Sequence, residues 1–467
     1  MPTSDNYINT SLGLFGISKE VTAGLPNWSF TVSGSSGATN FQVSTTSGAT
    51  DDNNIATAAA GWFVGAQVYF VTGALAGGVY NITAFTSGGT ANFTIDNATA
   101  TLPTGTCYVL WPLPASNVSI NTSTENLERD FVRQTLDKAS ALKGLKMCDG
   151  SFDVEIPGLV TASADGTAAA VDRWSALLSV IGTRRAAVGE AVISSVSNST
   201  TVIAVTAAST FAVDDVVLVN SEARRITNVD TSGNLLTVAP AMSAAADTPD
   251  VVYTGEQWEA ADDGHQTLTI LQVTDDRLVE CRGAACSVSL SAEFGSALSA
   301  SVEFSAAYMT SGGDESGWDL QDSFTIDGSQ SSKKPPVFKT SAAHHFAGTA
   351  LSVASWEFEL GHERAEHRYV DTHYFTITAR NASCGVNFKD TSVNPKEDWE
   401  ANGTVGELLM SAGKSAGDCV VVSGQAQMYD PASSAENNGF QDYNASFAFC
   451  DDQTDAANAK RPMIVRF

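Results

Sequence analysis

Ser151-Phe-Asp-Val-Glu-Ile-Pro157 and Ser355-Trp-Glu-Phe-Glu-Leu-Gly361 match position by position: an aromatic, then acid, apolar, acid, apolar. Each alternates with period two, so each reads as a strand with one apolar and one acidic face. A second pair of segments follows in the same order. Trp174, Leu177, Leu178, Ile181 and Gly182 are spaced like Val405, Leu408, Leu409, Ala412 and Gly413, the i, i+3, i+4, i+7 stripe of an amphipathic helix closed by a glycine. In a third pair, Cys286 to Phe294 followed by Ser301-Val-Glu-Phe-Ser305 parallels Cys419 to Met428 followed by Asn444-Ala-Ser-Phe-Ala448. Three matches in one order predict two related units, each built of strands and one short helix.

The 467 residues are rich in Ser, Thr, Ala, Gly and Val, and only 16% are charged. That composition suits β-sandwiches better than helical bundles, and the fold class expected is mainly β. The chain is long enough for a large core without disulfides. Its formal charge of −27 comes from 52 acids against 25 bases. A protein that grips phosphates needs the opposite sign, whereas an acidic surface keeps a concentrated protein soluble or repels DNA. Seven cysteines form no CxxC and leave at least one unpaired, which fits synthesis in a reducing cytosol. Met1-Pro-Thr-Ser-Asp-Asn lacks the basic and apolar regions of a secretory leader. No apolar run approaches the roughly 18 residues of a membrane span, so no membrane insertion is expected.

Two polar, glycine-rich stretches read as compact modules of five or six strands, one at residues 28–112 and one at 190–255. They resemble each other: Phe63, Val68, Phe70 and Val71 match Phe211, Val216, Leu218 and Val219, Ile82-Thr83 matches Ile226-Thr227, and Phe93-Thr-Ile95 matches Leu236-Thr-Val238. The second interrupts the first related unit just after its helix, as a surface-loop insertion would. Residues 1–27 then form an N-terminal arm, 113–189 with 256–310 the first unit, 311–335 a linker rich in Ser, Gly, Asp and Pro, and 336–467 the second unit.

Chemistry-bearing motifs are sparse. His362-Glu-Arg-Ala-Glu-His367 is one residue too long for two histidines to share a helical face around zinc. His367 and His373, read as one strand, stand about 20 Å apart. No nucleophile elbow, phosphate loop or dinucleotide fingerprint occurs. Asp153 with Glu155, and Glu357 with Glu359, have the same-face spacing of an acid–base pair, but no aromatic lies beside them to stack a sugar. No catalytic residue, metal ligand or cofactor is expected. A strand that is apolar on one side and acidic on the other belongs to a sheet whose second face meets water. Joined edge to edge between subunits, such sheets close into a barrel with an acidic lumen.

Glu125-Asn-Leu-Glu-Arg-Asp-Phe-Val-Arg-Gln-Thr-Leu136, Gly144-Leu-Lys, Ser151 to Gly158 and Asp172-Arg-Trp-Ser-Ala-Leu-Leu178 resemble the tail tube (major tail) proteins of long-tailed, non-contractile bacteriophages. So do Ser355 to Gly361, Thr376-Ile-Thr-Ala-Arg380, Asp398-Trp399 and Leu408-Leu409. The resemblance implies a β-sandwich or barrel with a flanking short helix, polymerised as stacked rings around a channel through which DNA leaves the capsid. It implies six tube domains per ring, supplied by six single-domain chains or by three duplicated ones, and the duplication favours three. It also implies a virion protein made in the host cytoplasm, with itself, tail tip, tape measure and tail terminator proteins as partners and DNA passing through without specific binding. Asp153, Glu155, Glu357 and Glu359 are the expected channel lining. Asp137, Lys138, Lys143 and Lys146, in a stretch of mixed charge read as a flexible loop, are the expected ring-to-ring contact. A virion decoration or receptor- and glycan-binding protein, with the two modules as binding units, is the competing reading.

Overall fold

The computed structural model describes residues 13–22, 25–26, 29–44, 63, 66–70, 72–76, 78–86, 90–96, 101–127, 142–159, 172–262, 265–274, 277–308, 334–369, 372–389, 396–437, 440–450 and 461–467. Of these described residues 65% are strand and 4% helix. In chain order, β1 (Gly13–Thr22) and β2 (Leu25–Pro26) precede β3 (Ser29–Gly37), β4 (Asn40–Ser44), β5 (Gln67–Phe70), β6 (Val79–Thr86), β7 (Thr90–Ile95) and β8 (Thr106–Pro112). Then come β9 (Ala115–Leu127), β10 (Leu142–Glu155), helix α1 (Arg173–Leu178) and β11 (Gly182–Arg185). Six short strands follow: β12 (Gly189–Ala191), β13 (Val202–Ala204), β14 (Val216–Val219), β15 (Glu222–Asp230), β16 (Leu235–Ala239) and β17 (Val251–Thr254). β18 (Glu256–Ala260), β19 (Thr267–Thr274), β20 (Arg277–Glu293) and β21 (Ser299–Tyr308) lead to β22 (His344–Phe346), β23 (Thr349–Ala350) and β24 (Val353–Glu359). The chain ends with β25 (His362–Tyr369), β26 (Thr372–Arg380), β27 (Ser383–Lys389), helix α2 (Lys396–Asn402), β28 (Val405–Ser415), β29 (Asp418–Asn437), β30 (Phe440–Phe449) and β31 (Met463–Arg466).

Eight strands run side by side, all antiparallel, in the order β9-β10-β21-β20-β24-β27-β30-β29. The first four and the last four are connected alike. In each, a pair of strands (β9 with β10, β24 with β27) is followed by a helix (α1, α2), and the chain returns as a second pair (β20 with β21, β29 with β30). The near half of β20 pairs with β19, and β19 with β1; the near half of β29 pairs with β28, and β28 with β22. Both β9 and β24 also carry a one-residue bulge near their start.

Two of the three sequence matches fall differently from expectation. β10 and β24 are both half-buried strands, yet by place in the sheet β24 corresponds to β9, and β27 to β10. The stripe Val405, Leu408, Leu409, Ala412, Gly413 is strand β28, not a helix. Leu408, Met410 and Ala412 enter the main core, whereas Leu409 enters a separate cluster formed with the second module. A strand buried on both faces loses visible alternation, and its apolar run imitates a helical stripe. The helix of this half lies earlier, around Trp399. The third match is in step only on β21 and β30, at Phe304 and Phe447; on β20 and β29 the pairings set Cys286 at the place of Met428, not of Cys419.

The two modules share one topology. β3-β4-β7-β6-β5-β8 closes through the β3–β8 pairing. In the same order β12 meets β13 through the Val192–Val205 bridge, then β16, β15, β14 and β17 complete the turn. Phe63 and Phe211, Ile82 and Ile226, and Phe93 and Leu236 are buried at matching places, whereas the pairings match Val68 with Val217, inside the barrel, and not with Val216, which faces out of it. The interior of the first module is continuous with the main core through Trp111 and Leu113, and β1, within the expected arm, pairs with β8 and β19. The second has its own core but leans Val216, Leu218 and Ala223 on Leu409, Val421 and Val465 of the second half. The expected linker at 311–335 lies almost wholly outside the described residues.

Candidate functional site

Phe152 and Val154 of β10, Val302 and Phe304 of β21, Val288 and Leu290 of β20, and Trp356 and Phe358 of β24 are all buried. The residues between them point to the opposite face, and the register carries them across strands in rows. One row reads Asp153, Ser301, Ser289, Glu359; the next reads Glu155, Ser299, Ser291, Glu357. All four acids singled out in the sequence therefore share one water-facing surface, although some 200 residues separate the two pairs. Three interstrand steps place the ends of each row about 14 Å apart. Glu155, Glu357 and Glu359 are exposed and Asp153 is half-buried.

Three further acids on this face escaped the sequence reading: Asp149 on β10, Glu293 on β20 and Glu303 on β21, all exposed. The alternation in Ser301-Val-Glu-Phe-Ser305 carried the signal for Glu303. Between the carboxylates the face is mostly hydroxyl and amide, with Ser116, Ser119 and Asn121 of β9 on one flank and Asn387 and Asn444 on the other. Asn117 Nδ2 donates to Asp153 Oδ2 at 2.7 Å, and Arg364 approaches Glu303 at 3.2 Å. Among the described residues none of the four expected acids has an ion-pair partner. Repulsion across water at about 14 Å is about 0.3 kcal/mol per pair, so the face costs folding little while its negative potential adds up.

The end of β10 is held from below. Trp174 Nε1 donates to the Glu155 carbonyl at 2.8 Å. Helix α1 is started by a capping box in which Asp172 accepts from the Ser175 backbone and Ser175 Oγ accepts from the Asp172 backbone. Asp172 is buried, and Arg466, fully buried on β31, contacts it at 2.7 Å and Glu256 at 2.9 Å. Glu256 also meets Arg184 at 2.7 Å. β31 pairs with β18 and with β29, so this closed ionic cluster ties the first helix to the second half.

Asp137 and Lys138 lie outside the described residues. Lys143 and Lys146 lie on β10, opposite Asn126 and Thr124 of β9. The part of that stretch from Leu142 onward is strand, not flexible loop. Lys146 is exposed. His367 and His373 sit on neighbouring strands of the β25–β26 hairpin, facing opposite sides, because the chain turns between them. His367 lies 2.8 Å from Thr376 Oγ1 and His373 2.7 Å from Glu366. Gly361, at φ +62, releases this hairpin from β24; a Cβ there would stand 2.4 Å from the Asn381 carbonyl oxygen. Cys148 and Cys281 form a buried disulfide between β10 and β20, a pairing the cysteine usage had not foreseen. Burial first, and the Glu357 carboxylate second, push the Cys384 thiol up.

Among the described residues no three His, Cys, Asp or Glu side chains gather to hold a metal, and no helix is long and apolar enough to cross a membrane. Compared with models of protein families and with curated proteins, the chain matches none.

Proposed function

We propose that the chain is a tail tube subunit of a long-tailed bacteriophage: a structural virion protein, not an enzyme, that stacks in rings around an acidic conduit for DNA. The observation that carries this reading is the acidic, water-facing side of the eight-stranded sheet, made by two halves of like connectivity. We read those halves as two diverged copies of one tube domain, each with one barrel module packed on its outside. The copies differ in sequence because alternation and connectivity, not residue identity, are what a one-sided sheet requires.

The width of the sheet supports three chains per ring. Eight strands at about 4.8 Å span about 38 Å, so three chains make a circumference of about 115 Å and a backbone diameter of about 37 Å before tilt enlarges it. Side chains of about 5 Å on each wall leave about 27 Å, enough for a duplex about 20 Å wide. Two chains would leave about 14 Å before tilt and about 22 Å at a tilt of about 40°, which gives a duplex almost no clearance for water and ions. DNA in such a channel lies within the screening length of about 8–10 Å from the wall, where carboxylates repel it. A basic wall would bind the phosphates through counterion release and stall transit.

Electron microscopy of the concentrated, purified protein tests the reading. Hollow tubes with threefold, pseudo-sixfold end views are expected. Discrete particles that bind glycans through the barrel modules would favour the decoration or receptor-binding alternative.

A further inference from the structure

Resting on the ring reading, we propose that copies join head to tail by adding β9 of one chain to the far half of β29, residues 428–437, of the next. This junction repeats between chains the one that β20 and β24 make within a chain. The far half of β20 pairs with β24 through Ser289 to Glu293. The far half of β29, which holds the same place in the second half of the sheet, pairs with β30 and, among the described residues, with no other strand. At the opposite end, β24 has β20 and β27 as neighbours, whereas its counterpart β9 has, among the described residues, β10 alone. The two uncovered edges are therefore the two partners of a contact the chain already makes once. Both are antiparallel-competent, and an uncovered edge is a template for a further strand.

Burial points to the same occupant. On β24 the core-side residues Trp356 and Phe358 are 1% and 0% exposed. On β9 the corresponding Val118 and Ile120 are packed against the same core but only partly buried. What β24 has and β9, among the described residues, lacks is a strand on its outer side.

The register follows from the pairs. With Phe304 and Phe447 in step, Leu290 on β20 corresponds to Ser434 on β29 through Ala300 and Tyr443. Through Val154–Ala115 and Phe388–Val353, Phe358 on β24 corresponds to Ile120 on β9, one bulge being passed in each strand. Leu290 faces Phe358, so Ser434 of one copy faces Ile120 of the next. A head-to-tail contact of this kind closes when its rotation divides the circle, and each chain then contributes eight strands to a sheet without edges.

The test is the full-length double variant Ile120→Cys/Ser434→Cys, concentrated to assemble and oxidised with glutathione disulfide, read on a non-reducing gel and by electron microscopy. Conversion to covalent closed trimers, absent from either single variant, is the expected result. Tubes that form without this cross-link, or one with cysteine at Val118 or Thr122 in place of Ile120, overturn the junction and leave the tube reading standing. Covalent rings that never stack keep the junction and sink the tube. A chain that stays single at every concentration overturns the junction.

Discussion

The two four-strand halves are wired alike but fastened differently. In the first, helix α1 is fixed by a buried ionic cluster of Asp172, Arg466, Glu256 and Arg184, and β10 is tied to β20 by the Cys148–Cys281 disulfide. In the second, Trp399 of α2 packs edge-on against Phe346, and Cys384 and Cys419 remain buried thiols. Connectivity is therefore the shared property, and each half has found its own chemistry to hold it. The acidic face follows the same rule: its carboxylates share rows across the sheet, yet Asn387 and Lys389 of β27 hold in the second half the places of Asp153 and Glu155.

Removing the ionic fastening gives the largest expected effect. Arg466→Ala removes the guanidinium shared by the buried Asp172 and Glu256, leaving Arg184 beside Glu256, and should lower unfolding free energy by about 3–5 kcal/mol, read by denaturant titration. Arg466→Ala at wild-type stability would show that the first half does not depend on this cluster. The disulfide comes next. Cys148→Ala/Cys281→Ala opens a loop of 133 residues and should cost about 2–5 kcal/mol. Cys384→Ala in the second half should cost about 1 kcal/mol, as a small buried truncation. Equal losses in the two halves would erase the contrast.

Acid should sharpen the comparison from the other side. Burial lowers the pKa of His344 and His345, at the start of the second half, and of His362, at the hairpin, to about 4. Folded histidines of this kind bind fewer protons than unfolded ones, so their contribution is present above about pH 6.5 and is lost as pH falls toward 4. Stability followed between pH 7 and 4 should decline through that window, by up to about 3 kcal/mol for the deeply buried His344. His344→Gln should flatten the decline, and an unchanged slope would remove His344 as its source.

The smallest effect on folding belongs to the acidic face. Asp153→Lys/Glu155→Lys and Glu357→Lys/Glu359→Lys should each shift stability by no more than about 1 kcal/mol, since exposed substitutions change it little. Both pairs should slow genome delivery from assembled particles to a similar degree. Delivery at the normal rate with all four reversed would sink the channel-lining assignment, and slowing by one pair alone would confine the lining to that half.

Much of this arrangement could be read along the chain. Phe152/Val154 and Trp356/Phe358 announced strands with a wet side, the Trp174, Leu177, Leu178 spacing announced α1, and the aligned apolar residues of the two modules announced a shared strand-built unit. In these strands, side-chain alternation is a local pattern that records one buried face. Val405 to Ser415 could not be read so, because the main core covers one face and the second barrel covers the other. Nor could Asp149, Glu293 and Glu303 be assigned to the acidic rows, since cross-strand register depends on pairings between residues up to 200 positions apart.

By itself the sequence determined a mainly β chain, acidic on the wet side of its strands and carrying two like modules. Only the tertiary structure decided which strands correspond between the halves, that the second barrel packs on the second half although inserted in the first, and which edges stay uncovered. Alternation is written by burial at each residue. Neighbourhood is fixed by backbone hydrogen bonds, which carry no residue identity.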